Sequence, residues 1–449
     1  MVRSAVALAA EPGEVSAGDT AWVLASSALV LLMTPGLAFF YGGMVRTKNV
    51  VTTLFQSFIV IAAVSIQWVL FGYSLAFGPD IGGFIGNLGF AGFREVGLVP
   101  NPDYAATIPH QAFAVFQLMF AVITPALIIG SMAERVSLKG FLVFTLLWST
   151  LIYDPVAHWV WGTGGWLRNL GALDFAGGTV VHLSSGTAGL VAALYLGRRR
   201  GYGQVQLCGH SVPLILLGTG LLWFGWFGFN AGSSLAANGL AANAFLVTNT
   251  AAAAASVAWV MMEGLRGHRP TLTGACTGAV VGLISITPAA GFVGPLSALA
   301  IGLVGGVLCY TAIAVVKARM GYDDALDAFG AHGVGGMWGA LATGLFASTS
   351  INSAGANGLL FGNPGQVVLQ LVSILGTLVY VGLGTLVLLF VVDRVLGLRV
   401  APHVEDEGLD RYLHGEDAYP ETVLAHSIET LFGSAAASKL SRETRATAG

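Results

Sequence analysis

The chain has 449 residues, 55% hydrophobic and only 10% charged, with a mean hydropathy of +0.76. A soluble domain carries about 25% charged residues, so 20 Lys and Arg with 23 Asp and Glu cannot cover a water-facing surface of this size. The net charge of −3 gives no bias toward nucleic acid, and three scattered cysteines, Cys208, Cys276 and Cys309, argue against a disulfide framework or a zinc site. What remains is an all-α polytopic membrane protein, whose 62 glycines suit close helix packing in lipid.

A bilayer span needs about 20 mostly apolar residues. In chain order such stretches fall at about residues 20–42, 51–77, 110–132, 140–161, 177–197, 211–231, 242–262, 272–291, 295–316, 326–347 and 365–392, which predicts eleven transmembrane helices. Of the 20 Lys and Arg, all but Arg3, Arg94 and Arg168 fall on alternate connections or in the tail. The positive-inside rule puts that side in the cytoplasm, with the N-terminal segment 1–19 outside and the tail 393–449 inside. Residues 1–10 are apolar with one Arg and read equally as a truncated signal or an external lead-in. From Pro402 the tail turns acidic, with Glu405, Asp406, Glu407 and Asp410, as suits a partner contact. Beyond residue 420 it reads as a solvated, partly disordered terminus.

Two spans carry a histidine in the same frame of small residues. His182-Leu-Ser-Ser-Gly186-Thr-Ala-Gly189 and His332-Gly-Val-Gly-Gly336-Met-Trp-Gly339 both fit H-x3-G-x2-G, in the fifth and tenth spans. The first and sixth spans also echo each other, Phe40-Tyr41-Gly42-Gly43 against Phe229-Asn230-Ala231-Gly232. Halves of five spans must lie inverted in the bilayer, because five is odd, and inverted halves commonly hold a transport site near the midplane.

Ionisable groups inside spans are costly and point to function. His182 and His332 read evenly as such groups or as interhelical hydrogen-bond glue worth about 1 kcal/mol. Brought to a pseudo-axis, the two imidazoles could bond each other and leave their outer nitrogens to a small polar solute. Asp174, opening the fifth span, suits a helix cap or a source of negative potential at a cation entrance. Asp154, before Pro155, reads as a helix break. Phe116 and Phe120 share one face of the third span, Trp161 ends the fourth, and Trp226, Phe229 and Ser233 follow at helical steps in the sixth. Aromatics so placed are usually packing or interface belt. Their functional use is an aromatic cage for a small cation, with cation–π attraction of about 0.5–2 kcal/mol.

The strings Phe40–Gly43, Asp174–His182, Gly225–Ser233 and Phe329–Val334 resemble the ammonium transporter (Amt/Mep/Rh) family, its bacterial Amt branch most closely, over about residues 22–419. The resemblance implies an eleven-helix ammonium transporter domain over 20–392 and a homotrimer with one pore per subunit. An intramembrane enzyme is disfavoured separately, because two span histidines with no third ligand or paired acid supply neither a nucleophile nor a metal set, and no cofactor is expected. The resemblance assigns Phe116, Trp161 and Ser233 to external ammonium recruitment, and Phe120 and Phe229 to a stacked phenyl gate. His182 and His332 fall on the twin histidines of the pore, Trp226 on a pore-proximal aromatic, and Asp174 on the acidic residue beside recruitment. Trp161 favours Amt over Rh. The strings Glu407–Asp410 and His414–Tyr419 resemble the Amt tail, which links subunits and serves regulation by PII-type signal proteins.

Putting a bare cation into a dry, phenyl-lined tube costs on the order of 20 kcal/mol by Born solvation before relaxation. Removing its proton costs about 1.36 kcal/mol per pK unit, or roughly 3 kcal/mol for ammonium near neutral pH. The expectation is therefore that NH4+, or methylammonium, is bound outside and deprotonated, and that NH3 crosses. Either the proton is relayed separately, which makes uptake electrogenic, or it returns outside. The competing readings are a passive Rh-like channel for NH3 or CO2 and an ammonium sensor signalling through the tail. The location implied is the cell membrane.

Overall fold

The computed structural model describes residues 14–419, so the lead-in at residues 1–10 and the terminus beyond 420 lie outside the described residues. Among the described residues, with contiguous α and π turns joined and short 3-10 turns such as Leu88–Phe93 and Leu359–Phe361 set aside, eleven long helical stretches follow one another between residues 17 and 396. They are α1 Ala17–Met44, α2 Thr47–Phe77, α3 His110–Met132, α4 Leu138–Leu170 (interrupted at 162–165), α5 Gly178–Leu196 and α6 Val212–Gly232. Then come α7 Gly239–Leu265, α8 Leu272–Ile286, α9 Pro295–Met320, α10 at 329–346 and α11 Gly365–Leu396. Among the described residues nine of these, all but α8 and α10, are long and apolar enough to cross a membrane. The helix α8 stops at Ile286 rather than running to 291, because turns around Pro288 replace its last span residues. Two short helices, α12 Pro402–Glu407 and α13 Leu409–His414, form the described part of the tail.

Helix starts follow their caps. Ser16 Oγ accepts from Asp19 N before α1, Ser211 caps α6 ahead of Pro213, and Asn238 accepts from Leu240 N and Ala241 N before α7. The helices α1 and α6 run antiparallel in close contact. A Cβ on Gly43 would lie 2.6 Å from Ser211 O, and one on Gly232 would lie 2.6 Å from Ser26 Cβ, so opposite ends meet. That explains the paired glycine strings of the first and sixth spans.

Five helices contain a π-type turn, and two of these hold the histidines: Gly178–Leu183 opens α5 and Phe329–Gly333 opens α10. Such turns widen the helix by one residue and recur at functional sites. Another, Ser149–Tyr153, precedes Asp154 and corrects the expected break there: α4 continues through Pro155, because the wider turn makes room for its ring. Asp154 is instead a buried acceptor, bonded by Gln67 Nε2 of α2 at 2.7 Å.

The two ends of the bundle differ. Between α2 and α3 the chain forms two small antiparallel hairpins, β1 Asp80–Ile81 with β2 Ile85–Gly86, and β3 Pro100–Asn101 with β4 Ala105–Pro109. The opposite, arginine-rich end is tied by ions. Glu134 binds Arg46 and Arg199, and Asp323 binds Arg199 at 2.8 Å beside Arg135. The tail docks on the same end, where Asp410 accepts from Val51 N and Thr52 N and so caps the first turns of α2.

Candidate functional site

His182 and His332 meet in the middle of the bundle. Their Nδ1 atoms lie 3.3 Å apart and the rings are nearly parallel, with centroids 5.3 Å apart. One imidazole donates and the other accepts. Both residues are buried, and among the described residues His182 Nε2 has no hydrogen-bond partner.

The shared glycine frame explains how two helices bring their histidines this close. A Cβ on Gly186, four residues after His182, would strike the main chain of His332 and Gly333. Reciprocally, one on Gly336, four residues after His332, would lie 2.8 Å from Gly178 O and Leu183 N. Only glycine leaves room for either backbone.

The same reciprocity extends upstream to a residue missed in sequence reading. Asp174 lies eight positions before His182, and Asp324 lies eight before His332. The Asp174 carboxylate accepts from Gly177 N, Gly178 N and Thr179 N at 2.7 Å and from Val180 N at 3.2 Å, so it occupies the free amides that open α5. Asp324 accepts from Ala328 N, Phe329 N and Ser131 Oγ and does the same for α10. The readable signal was D-x7-H-x3-G-x2-G, occurring twice.

On one side of the histidines stands a column of aromatic rings. His182 lies 5.3 Å from the Trp226 ring and 5.9 Å from Phe229, nearly parallel to both. Phe229 lies 4.3 Å from Phe120, which meets Phe116 at 5.0 Å and Trp161 at 5.8 Å in edge-on contacts. Trp226 is held by its Nε1 donating to Thr287 Oγ1, and Trp161 by its Nε1 donating to the carbonyl of Asp174. Asp174 therefore fixes α5 with its carboxylate and Trp161 with its carbonyl.

Above the column, on the hairpin end, opens a cavity of about 210 Å3 lined by Phe120, Trp161 and Ser233, together with Gln117, Asp103 and Arg168. Ser233 Oγ donates to Phe229 O and keeps its lone pairs for a further donor. Phe116 does not line this cavity; it is buried one turn away, against Gly232. Of the nine residues singled out in the sequence, Trp161, Ser233, Phe120, Phe229, Trp226, His182 and His332 thus follow one another from the hairpin end to the centre, while Phe116 packs behind Phe120 and Asp174 stands behind Trp161. Gln117, Asp103 and Arg168 were not anticipated, because isolated polar residues next to loops carry no periodic signal. Among the described residues no group of His, Cys, Asp and Glu has the geometry to hold a metal.

An apolar bundle enclosing a buried imidazole pair, reached through an aromatic-lined cavity, defines a multi-pass membrane protein of the transport class. Residues 21–419 match the Ammonium Transporter Family, and the chain belongs to it. An ammonium transporter of Bacillus subtilis is 52% identical over 406 residues, covering 90% of this chain and 99% of that relative. The crystal structure of Mep2 from Saccharomyces cerevisiae is 38% identical with a TM-score of 0.81, covering 87% of this chain and 88% of that one. A solved sensor Amt protein is 29% identical with a TM-score of 0.81, covering 88% and 98%. The family is one of membrane transport rather than catalysis.

Proposed function

We propose that the protein carries ammonium into the cell through this path. In this reading α1–α5 and α6–α10 are inverted halves, α11 flanks them, and all eleven helices span the cell membrane as one transporter domain over residues 20–392. The N-terminal segment 1–19 is then external and the tail 393–449 cytoplasmic. Trp161 and Ser233 recruit NH4+, with Phe116 packed behind them against Phe120; the ring faces at the cavity supply cation–π attraction and Ser233 an oxygen acceptor. Phe120 and Phe229 close the way to a hydrated cation. The proton leaves at this gate, and NH3 passes Trp226, His182 and His332. Asp174 keeps the α5 terminus and Trp161 in place. The observation that carries the reading is the buried imidazole pair, 3.3 Å between Nδ1 atoms, directly beneath two phenyl rings tilted against each other with centroids 4.3 Å apart. Among the described residues no carboxylate is a partner of either ring, so the path favours a neutral solute while still offering nitrogens to a proton.

We take uptake to be electrogenic, with a proton moving separately along the histidine pair. The protein is read as a homotrimer whose tail and arginine-rich face meet a PII-type signal protein. Likeness to a sensor Amt protein keeps a second reading, in which pore occupancy is signalled through the docked tail. An ammonium jump on proteoliposomes tests these together. Sustained, saturable current supports electrogenic uptake; alkalinisation without current supports a passive NH3 channel; neither, with ammonium-dependent partner binding, supports the sensor. Replacing both histidines with leucine abolishes the current by at least tenfold, and an unchanged current in that variant sinks the relay.

A further inference from the structure

The cavity assigned above to recruitment of a cation has a fixed positive charge in its wall. Arg168 is exposed at its rim, and its guanidinium donates to Trp161 O at 2.7 Å, Thr163 Oγ1 at 3.1 Å and Asp103 O at 3.5 Å. None of these acceptors is a carboxylate, so the bonds hold the charge in place without neutralising it. Asp103, in the turn between β3 and β4, lines the same cavity from the other bank and gives Arg168 its carbonyl, not its carboxylate. That turn is itself pinned by Asp103 N donating to Asn101 Oδ1. Tyr104 lines the same cavity; burial pushes its hydroxyl up, bonds to Thr163 and, more weakly, the Arg168 charge pull it down, and Asp103 pushes it up by the smallest amount.

We infer that Arg168 and Asp103 set the charge selectivity of the mouth, Arg168 lowering and Asp103 raising the local concentration of cations in the cavity. The inference rests on the recruitment reading and adds to it which solutes are turned away. A fixed charge acts on a solute in proportion to that solute's own charge. For an illustrative separation of about 8 Å and an effective dielectric of about 45, between the protein-surface and bulk-water limits, one charge changes monovalent occupancy about fivefold and divalent occupancy roughly 25-fold, leaving neutral ammonia untouched. Arg168 therefore costs the protein some ammonium affinity and excludes divalent cations far more strongly. An aromatic cage cannot provide that discrimination alone, because ring quadrupoles attract cations of any valence.

The test is ammonium-dependent current from the full-length protein in liposomes at about 10 mM ionic strength, where surface charge is little screened. Arg168→Gln should lower the ammonium KM about fivefold and make transport sensitive to Mg2+. Asp103→Asn should raise KM by a similar factor, and neither should change the maximal rate, because both charges lie outside the dry column. Arg168→Lys, which keeps the charge and loses the planar fork, should behave as the wild type. All the differences should vanish at about 1 M salt. If Arg168→Gln and Asp103→Asn leave KM unmoved at low ionic strength while the wild type saturates normally, the inference falls and the recruitment reading stands. If Arg168→Lys and Arg168→Gln shift KM equally and independently of salt, Arg168 is only a tether and the inference also falls. If Trp161→Leu changes no parameter, the recruitment reading itself fails.

Discussion

On the arginine-rich face Glu134 is shared by Arg46 and Arg199, and Asp323 lies between Arg199 and Arg135, each acid wholly or nearly buried. On the aromatic face Trp161, Phe120 and Ser233 line the cavity, with Asp103 and Arg168 also in its wall, and the buried acid Asp174 spends its carboxylate on backbone amides. The contrast shows two ways of handling charge at the end of a bundle. Where helices must be locked together, full charges are paired and buried. At the proposed recruitment cavity the buried wall offers quadrupoles and a hydroxyl instead, because a free buried carboxylate would hold a cation too firmly for it to leave.

The sharpest way to break this contrast is to unpair the ionic face. Asp323→Ala leaves Arg135 buried without an acid and Arg199 with Glu134 alone, which should cost about 3–5 kcal/mol of stability. Thermal unfolding in detergent measures this, and the ammonium KM of whatever protein remains folded should be unchanged. Trp161→Leu does the converse. Losing about 0.5–2 kcal/mol of cation–π attraction should raise KM roughly two- to thirtyfold while the melting temperature stays near the wild-type value.

The smallest effect is a pH dependence that belongs to the ionic face alone. Burial would raise the carboxyls of Glu134 and Asp323, but Arg199, aided by Arg46 and by Arg135 respectively, holds both below their ordinary values. An acid whose pKa falls on folding stabilises the fold above its unfolded value, and that contribution is lost as pH drops through the folded value. Melting temperature should therefore be level above about pH 5 and decline below about pH 4. In Glu134→Gln the decline should be shallower. An equally steep decline there would assign the acid sensitivity to other carboxylates.

Much of the path was legible because its residues stand in short strings. Phe116 and Phe120 are spaced for one helix face, Gly225–Ser233 carries three of the site residues, and each histidine announces itself by sitting among apolar neighbours. Helix limits lie within a few residues of those expected wherever an apolar stretch ends at a cap, as at Ser211 and Asn238. The ion pairs were not legible. Arg46 with Glu134 and Arg199 with Asp323 are separated by 88 and 124 residues, and nothing in a local window links them. Asp324 was overlooked because the repeat was read forward from each histidine and not backward. Asp154 was misread because a proline rule assumes ordinary helical geometry, and the π-type turn at Ser149–Tyr153 suspends it.

The glycines at 186 and 336 carry a consequence for how the molecule tolerates change. Each clears space for the main chain of the opposite helix, so a methyl group added at either displaces the histidine segment across the interface before it disturbs its own. The two halves of the chain are thus mechanically cross-wired. A substitution in one is felt as a shifted imidazole in the other, and repair has to come from the distant partner segment, 150 residues away in sequence.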